Sequence, residues 1–220
     1  MRREKKAGLL AIAFLGIAIL GGCGAGNASQ STSSGGGSTQ QSSGSTQPAP
    51  QTSKNSNEKP VAAEKNPVGD IPDTQAFVTY TSQQGKYSLE APEGWARTVN
   101  GGDVSFVNKL DGMSVSLKNS QSAPTVASVR KNDIPALKKA HGAVQVTNVQ
   151  SVNTPAGQAV LVKYTSNSKP DPVTGKQVRE ENNNYIYYKS GKVATLRLYA
   201  PLGADNVDQW NRISQSFGWM

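Results

Sequence analysis

The chain has 220 residues, of which 35% are hydrophobic, and a formal net charge of +8. This length provides for one domain with its own hydrophobic core and for additional segments. The basic residues are scattered, without a block of Lys and Arg or interleaved aromatic residues, which argues against a nucleic-acid-binding protein. The single Cys and the single His exclude a disulfide scaffold and a zinc site built from several such residues.

Residues 1–22 have the features of a signal peptide. A basic segment, Met1–Lys6, precedes an apolar run, Ala7–Leu20, which as a helix would span only about 21 Å of the roughly 30 Å of bilayer hydrocarbon. The tetrapeptide Leu20-Gly21-Gly22-Cys23 resembles a bacterial lipobox, and this resemblance implies cleavage before Cys23 and lipidation of its thiol. The alternative is an ordinary signal peptide followed by a stray thiol.

Residues 23–74 are predicted to form a disordered tether behind the lipid anchor. Ser, Gly, Gln and Thr dominate the first part and several prolines punctuate the second, so the segment has little apolar surface to offset its ordering entropy. A flexible chain of this length reaches on the order of 40 Å. We therefore expect a protein attached to a bacterial membrane through Cys23, facing the extracytoplasmic side. The alternative is that the polar tract itself binds a ligand.

Residues 75–220 are predicted to form one domain that begins with strands. Alternating apolar residues and Gly-rich or Asp-Gly turns predict four of them, at Phe77–Thr81, Tyr87–Ala91, Val104–Val107 and Met113–Leu117. A helical region follows, with Thr125 as its cap. Pro135 predicts a break, after which a second short helix, capped by Asp133, ends at His141 and Gly142.

The second half of the domain is predicted to contain four longer strands and a final helix. The strands are Val144–Val152, Gln158–Ser166, Gln177–Tyr188 and Lys192–Tyr199, and the short turns between them predict antiparallel pairing. Asp205 is the expected N-cap of the helix, with Asp208 three residues later, and Val207, Trp210, Ile213 and Phe217 form its apolar stripe. The fold class is therefore α+β: an antiparallel β-sheet with helices packed on it.

The chemical inventory of the domain favours a protein that is not an enzyme. His141 stands at a predicted helix end, where its charged form would interact favourably with the helix dipole. Glu180 and Glu181 adjoin on a strand, so they point to opposite faces and are expected to be solvated edge charges. No nucleophile elbow, second histidine or free thiol accompanies them, once Cys23 is lipidated. We predict no catalytic residue, no metal-ligating residue and no cofactor-binding residue.

Three aspartates leave weak calcium binding open. Asp103, Asp111 and Asp171 stand in predicted turns beside Gly or Pro, and carboxylates are suitable calcium ligands. Their spacing matches no calcium loop, so turn formation is the preferred interpretation and no metal residue is assigned. Trp95 is likewise interpreted as entering the core, with an exposed partner-binding aromatic as the alternative.

Several segments of the domain resemble PsbP-type domains. Two of their motifs are a Pro92-Glu93-Gly94-Trp95 turn and a Lys189-Ser190-Gly191-Lys192 hairpin. The resembling segments are Phe77–Thr81, Gly85–Trp95, Gly102–Phe106, Ser114–Leu117, Tyr185–Leu196 and Trp210–Phe217. The resemblance implies an α/β/α sandwich and a non-catalytic extracytoplasmic module. PsbP-like lipoproteins of oxygenic phototrophs are associated with the lumenal face of photosystem II. The long tether and the loop Ser168–Lys176 depart from the photosynthetic versions.

Together these observations predict a lipid-anchored PsbP-like binding or assembly module. It would be an accessory of photosystem II, in the thylakoid lumen or periplasm, if the host is an oxygenic phototroph. We expect a monomer with a protein partner on the extracytoplasmic face, no nucleic acid, and membrane contact through lipidated Cys23. The alternative is a cell-envelope lipoprotein that binds a small ligand or an envelope polymer.

Overall fold

Antiparallel strands form two sheets in the computed structural model, which describes residues 58–65 and 68–220. The smaller sheet has the order β1-β2-β10, with β1 at Phe77–Ser82, β2 at Tyr87–Pro92 and β10 at Gly218–Trp219. The larger sheet has the order β3-β4-β5-β9-β8-β7-β6. Its strands are β3 Ala96–Asn100, β4 Asp103–Asn108, β5 Asp111–Asn119, β6 Gly142–Thr154, β7 Gly157–Asn167, β8 Arg179–Lys189 and β9 Lys192–Pro201.

Helices pack on both faces of the larger sheet. On one face, α1 (Val126–Ser128), a π-helical turn (Val129–Asp133) and α2 (Ile134–Ala140) run in succession and cover a small apolar cluster around Val129, which is fully buried. On the other face, α3 (Val207–Ser216) and the smaller sheet enclose the main core. We call these the second face and the core face. The predicted α+β class, with an antiparallel sheet and helices packed on it, is confirmed.

Successive side chains of a strand point to opposite faces of the sheet, so the larger sheet contributes residues to two cores. Along β7, Ala159 and Leu161 belong to the main core, whereas Val160 and Val162 belong to the cluster under α1 and α2. Trp210 and Phe217 anchor α3 in the main core, as predicted, and the ring of Phe217 stacks on that of Tyr187 with centroids 4.2 Å apart. Trp95 is half-buried and also packs against this core.

The caps of the helices differ in part from the sequence-based expectations. Thr125 caps α1 as predicted, in a capping box with Ser128. Asp133 occupies the N-cap position of α2, as predicted, but its side chain makes no capping bond: its carboxylate accepts a hydrogen bond from Lys118 Nζ at 2.7 Å instead. The predicted break at Pro135 takes the form of the π-helical turn, because Pro135 has no N–H for the next helical bond.

The start of α3 also differs from the expectation. The N-cap is Asn206 rather than Asp205, and Val207 is 65% exposed although it was placed on the apolar stripe. Strand β3 was not predicted, because all five of its residues are exposed and show no apolar alternation. Among the described residues, no helix has the length and apolarity that crossing a bilayer requires.

The described end of the predicted tether packs against the domain. Residues 68–73, which we call the strap, carry Ile71 into the main core, where it is 4% exposed. Farther upstream, the Glu58 carboxylate accepts hydrogen bonds from Asn167 Nδ2 at 2.6 Å and Gln177 Nε2 at 2.7 Å. The structure thus departs from the expectation that the packed chain begins at residue 75, because a single apolar side chain and several polar contacts suffice to hold this segment.

Candidate functional site

A polar depression lies between α3 and the core face of the larger sheet, and we call it the α3 cleft. Its volume is about 290 Å³. Strands β7 and β8 form its floor with Lys163, Thr165, Glu181 and Asn183, and the first turns of α3 form its wall. At these strand positions the core face carries polar side chains, unlike the apolar positions farther along the same strands.

The floor of the α3 cleft carries one positive and one negative side chain on neighbouring strands. Lys163 is directly across from Asn183 in the β7–β8 register, and Thr165 is directly across from Glu181. Burial raises the pKa of Glu181, whereas a backbone hydrogen bond from Gly203 and the positive charge of Lys163 oppose the rise. The floor thus combines one acid, one base, an amide and a hydroxyl.

The strap is attached to the same helix that forms the wall of the cleft. Asn206 lines the α3 cleft, and its amide accepts a hydrogen bond from Ile71 N at 2.6 Å and donates one to Gly69 O at 2.7 Å. Gln209 Nε2 donates to Asp73 Oδ1 at 2.9 Å, and Asp205 N donates to Asp70 Oδ1 at 2.8 Å. Asn206 therefore belongs to both the cleft and the strap attachment.

A buried carboxylate, that of Asp111, lies against the strap. Asp111 is 5% exposed, and within the described part of the chain its Oδ1 atom has no partner. Burial raises the pKa of Asp111 to about 7; the Asp70 carboxylate contributes to the rise, and Lys109 opposes it. Asp111 directly follows the turn at Lys109 and Leu110, begins β5 and carries its side chain into the protein.

The other two candidate calcium ligands lie elsewhere. Asp103 Oδ1 accepts a hydrogen bond from Leu117 N at 2.9 Å, and Asp171 Oδ1 accepts bonds from Val173 N at 3.0 Å and Thr174 N at 2.7 Å. The turn predicted at Asp171 is confirmed. Across residues 58–65 and 68–220, no group of three or more His, Cys, Asp or Glu side chains is placed to hold a metal ion. The structure does not bring Asp103, Asp111 and Asp171 together in such a group.

A polar cluster occupies the second face beside α2. Glu180 is 7% exposed and pairs with Arg197, whose Nη2 lies 2.9 Å from Glu180 Oε2. Arg197 Nε also donates to Asn182 Oδ1 at 2.8 Å. The expectation of solvated edge charges is wrong for Glu180, because β8 lies between β7 and β9 and is not an edge. The expectation that Glu180 and Glu181 point to opposite faces is confirmed, since Glu181 lines the α3 cleft.

His141 stands at the end of α2, as predicted, but its surroundings disfavour the charged form. The imidazole is half-buried, with its ring centroid 6.3 Å from that of Tyr164. Burial lowers the pKa of His141 to about 4, and the positive charges of Arg197 and Lys169 contribute. A neutral imidazole therefore replaces the expected charged cap.

Helix α2 leaves a second depression, the helix groove, against the second face. Its volume is about 250 Å³, and its lining is mostly apolar, with Ile134, Leu137, Val162 and Ile186 among the lining residues. Beside it, the π-helical turn and α2 expose four cations, which we call the helix face: Arg130, Lys131, Lys138 and Lys139. Asp133, the acid of this segment, is already paired with Lys118.

Cys23, the predicted lipidation site, lies outside the described residues. Sequence reasoning also did not identify the α3 cleft as a site, since Lys163, Glu181, Asn183 and Asn206 come from three elements and form no local motif. The strict alternation on β8 was the available signal: polar residues at positions 181 and 183 precede Tyr185 and Tyr187 on the same face.

Comparisons with known proteins give structural similarities of low sequence identity. Neither a comparison with protein-family models nor one with curated protein sequences finds a match. The solution structure of cyanobacterial PsbP (CyanoP) from Synechocystis sp. PCC 6803 has a TM-score of 0.48 and 15% identity, covering 70% of this chain and 99% of that one. The Ran-binding protein Mog1p of Saccharomyces cerevisiae has a TM-score of 0.47 and 8% identity, covering 66% and 96%. LpqN of Mycobacterium tuberculosis, involved in cell envelope biogenesis, has a TM-score of 0.38 and 15% identity, covering 70% and 88%.

Proposed function

We propose that this chain is a lipid-anchored, extracytoplasmic binding or assembly module of PsbP type, which docks a protein partner and performs no covalent chemistry. The observation that carries the docking function is the helix face. Arg130, Lys131, Lys138 and Lys139 are exposed on one short segment whose acid, Asp133, is paired with Lys118 at 2.7 Å. Such a concentration of like charge attracts an acidic surface and speeds its encounter.

The charge balance of the whole mature chain supports the same interpretation. Removal of the predicted signal peptide leaves 19 basic and 14 acidic residues, a net charge of +5. The basic excess is therefore moderate overall, and the helix face is where it is concentrated. A partner with an acidic surface is the occupant that this face fits best.

The proposal that the module is not an enzyme rests on its side chains. His141 is the single histidine of the sequence, and burial beside two cations lowers its pKa to about 4, far below the range of a useful general base at neutral pH. Glu180 and Glu181 lie on opposite faces of β8 and cannot share one acid–base task. If the host is an oxygenic phototroph, we propose that the module is an accessory of photosystem II.

The anchor is tested separately from the docking. In cells that produce the Cys23→Ala variant, the protein should move from the membrane fraction to the soluble fraction, because the variant lacks the thiol that would carry the lipid anchor. A Cys23→Ala chain that is cleaved from its signal peptide, yet stays in the membrane after high-salt and alkaline washes, would contradict the anchor.

Site-specific crosslinking in intact cells tests the docking face. A photoreactive residue at position 138, on the helix face, should capture a neighbouring protein. The same residue at position 176, in the exposed loop between β7 and β8, should not capture it. Equal capture from both positions, or from neither, would contradict docking through the helix face.

A small ligand or an envelope polymer is the second candidate. The specific observation in its favour is the α3 cleft, which lies on the opposite face of the larger sheet from the helix face. The two interactions therefore use different surfaces.

A further inference from the structure

The polar groups of the α3 cleft are unusual for the core face of a sheet. Farther along the same strands this face carries Leu161, Tyr185 and Tyr187, all at most 6% exposed and packed in the main core. At the cleft it carries Lys163, Glu181 and Asn183 instead. Neither α3 nor the smaller sheet covers these side chains, so they form an open polar floor with an apolar rear wall.

Several of these groups have unused hydrogen-bonding capacity. Asn183 is half-buried, and neither it nor the Lys163 ammonium makes a side-chain hydrogen bond to another group in the described part of the chain. Asn211, on the exposed side of α3, presents a second free amide at the rim. An amide offers two donors and two acceptor lone pairs, so these side chains suit a ligand that can both donate and accept.

The charges of the cleft favour a ligand without net charge. Lys163 is its cation and Glu181 its anion, and Lys163 acts electrostatically on Glu181. A phosphate or a carboxylate would meet the like charge of Glu181, and an amine would meet that of Lys163. Hydroxyl groups are repelled by neither charge, because they can donate a hydrogen bond to a carboxylate and accept one from an ammonium.

The volume and the aromatic lining of the α3 cleft restrict the class of ligand further. The volume of about 290 Å³ is near the lower end of the range for small-molecule sites, which fits one or two rings rather than a large cofactor. Tyr185 and Trp210, 6% and 7% exposed, form the apolar side of the cleft. Their edges offer contact area to the C–H groups of a ring whose hydroxyls face the polar floor.

We propose that the α3 cleft binds a neutral, polyhydroxylated ligand of the size of one or two sugar rings, such as an uncharged unit of an envelope glycan. Asn183 and Asn211 recognise hydroxyls from the floor and from the rim, Glu181 accepts from a hydroxyl, and Lys163 donates to one. The inference rests on the second candidate function and names its ligand class, and it does not depend on the docking function, since the helix face lies on the other side of the sheet.

Saturation-transfer NMR on the full-length, lipid-anchored protein in detergent micelles tests the inference. The probes are three neutral disaccharides, namely maltose, cellobiose and diacetylchitobiose, with glucuronate and glucosamine as charged comparators and tetra-alanine as a peptide comparator. At least one neutral disaccharide should receive saturation, and the charged sugars should bind at least fivefold more weakly. The Asn183→Ala substitution should weaken that binding at least fivefold, because it removes the amide that would hydrogen-bond to the ligand.

A matched control distinguishes recognition from loss of fold. Asn184 is the next residue of β8, also half-buried, but it lines the helix groove on the second face. The Asn184→Ala variant should therefore bind the same disaccharide as the unmodified protein does. If none of the three disaccharides binds, if a charged sugar or tetra-alanine binds more tightly, or if the two variants behave alike, the inference is overturned.

Discussion

Asn206 accepts a hydrogen bond from the backbone N–H of Ile71 at 2.6 Å, across 135 positions of the sequence. The same amide donates to Gly69 O at 2.7 Å, so one side chain fixes the strap at two points. Because Asn206 is also the N-cap of α3 and lines the α3 cleft, the root of the tether is joined to the helix that forms the cleft wall.

The strap should contribute measurably to stability. Ile71 is 4% exposed in the main core, and Ile71→Ala should lower the free energy of unfolding by about 2–5 kcal/mol through the cavity that it leaves. Val68→Ala is the matched control: Val68 is 64% exposed, and its truncation should change the stability by less than about 0.5 kcal/mol. Chemical denaturation of the two variants provides the measurement, and equal midpoints would show that the strap is not docked in solution.

The buried carboxylate beneath the strap predicts a specific pH dependence. The pKa of Asp111 is raised to about 7 in the folded state, whereas an unfolded Asp has a pKa near about 3.9. Between these values the folded state binds a proton that the unfolded state does not, so the stability falls as the pH rises from about 4 to about 7 and is level above that. Asp111→Asn, which is neutral at every pH, should therefore exceed the unmodified protein in thermal midpoint by several degrees at pH 8.

The difference between these two proteins should close as the pH approaches 4. Comparing them at each pH cancels the titration of all other groups. A constant offset between Asp111→Asn and the unmodified protein over this range would mean that Asp111 is charged and paired in solution.

His141 should titrate far below an ordinary histidine. Its pKa is lowered to about 4 by burial, with Arg197 and Lys169 contributing, against the usual 6.5. The folded state then binds fewer protons than the unfolded state below pH 6.5, so this residue lowers the stability as the pH falls toward 4. The sequence contains one histidine, so the untagged protein gives one imidazole signal by NMR. That signal should not shift between pH 8 and pH 5.5; a midpoint near 6.5 would contradict the burial.

The sequence allowed the regular part of the fold to be predicted. Five of the larger elements follow from local patterns: alternation predicts β2, β5, β7 and β9 near their observed bounds, and the spacing of Trp210, Ile213 and Phe217 predicts α3. Strand β3 could not be found in this way. Its residues Ala96–Asn100 are all exposed, so the strand exists through its hairpin with β4 rather than through burial of its own side chains.

The strap and the candidate site depend on contacts that are distant in sequence. Residues 68–73 have one large buried side chain, Ile71, and no periodicity, so composition alone indicates disorder. Likewise, Asp205 and Asn206 are both good N-cap residues by type, but the Asn206 side chain makes no capping bond and accepts a hydrogen bond from Ile71 N instead. The cleft residues carry no signature until β7, β8 and α3 are placed side by side.

The proposed docking function depends on exposed charge, and a salt titration of the purified complex tests this most directly. The partner captured from position 138 is purified, and its affinity for the full-length protein is measured between 0.1 and 1 M salt, over which the Debye length shortens from about 10 Å to about 3 Å. The affinity should fall steeply, and the Lys138→Glu/Lys139→Glu variant should bind more weakly with a shallower salt dependence. The control Lys86→Glu/Lys176→Glu, which changes the net charge equally at exposed turn and loop positions, should behave like the unmodified protein. An affinity that is indifferent to salt, or equal losses in the two variants, would contradict docking through the helix face.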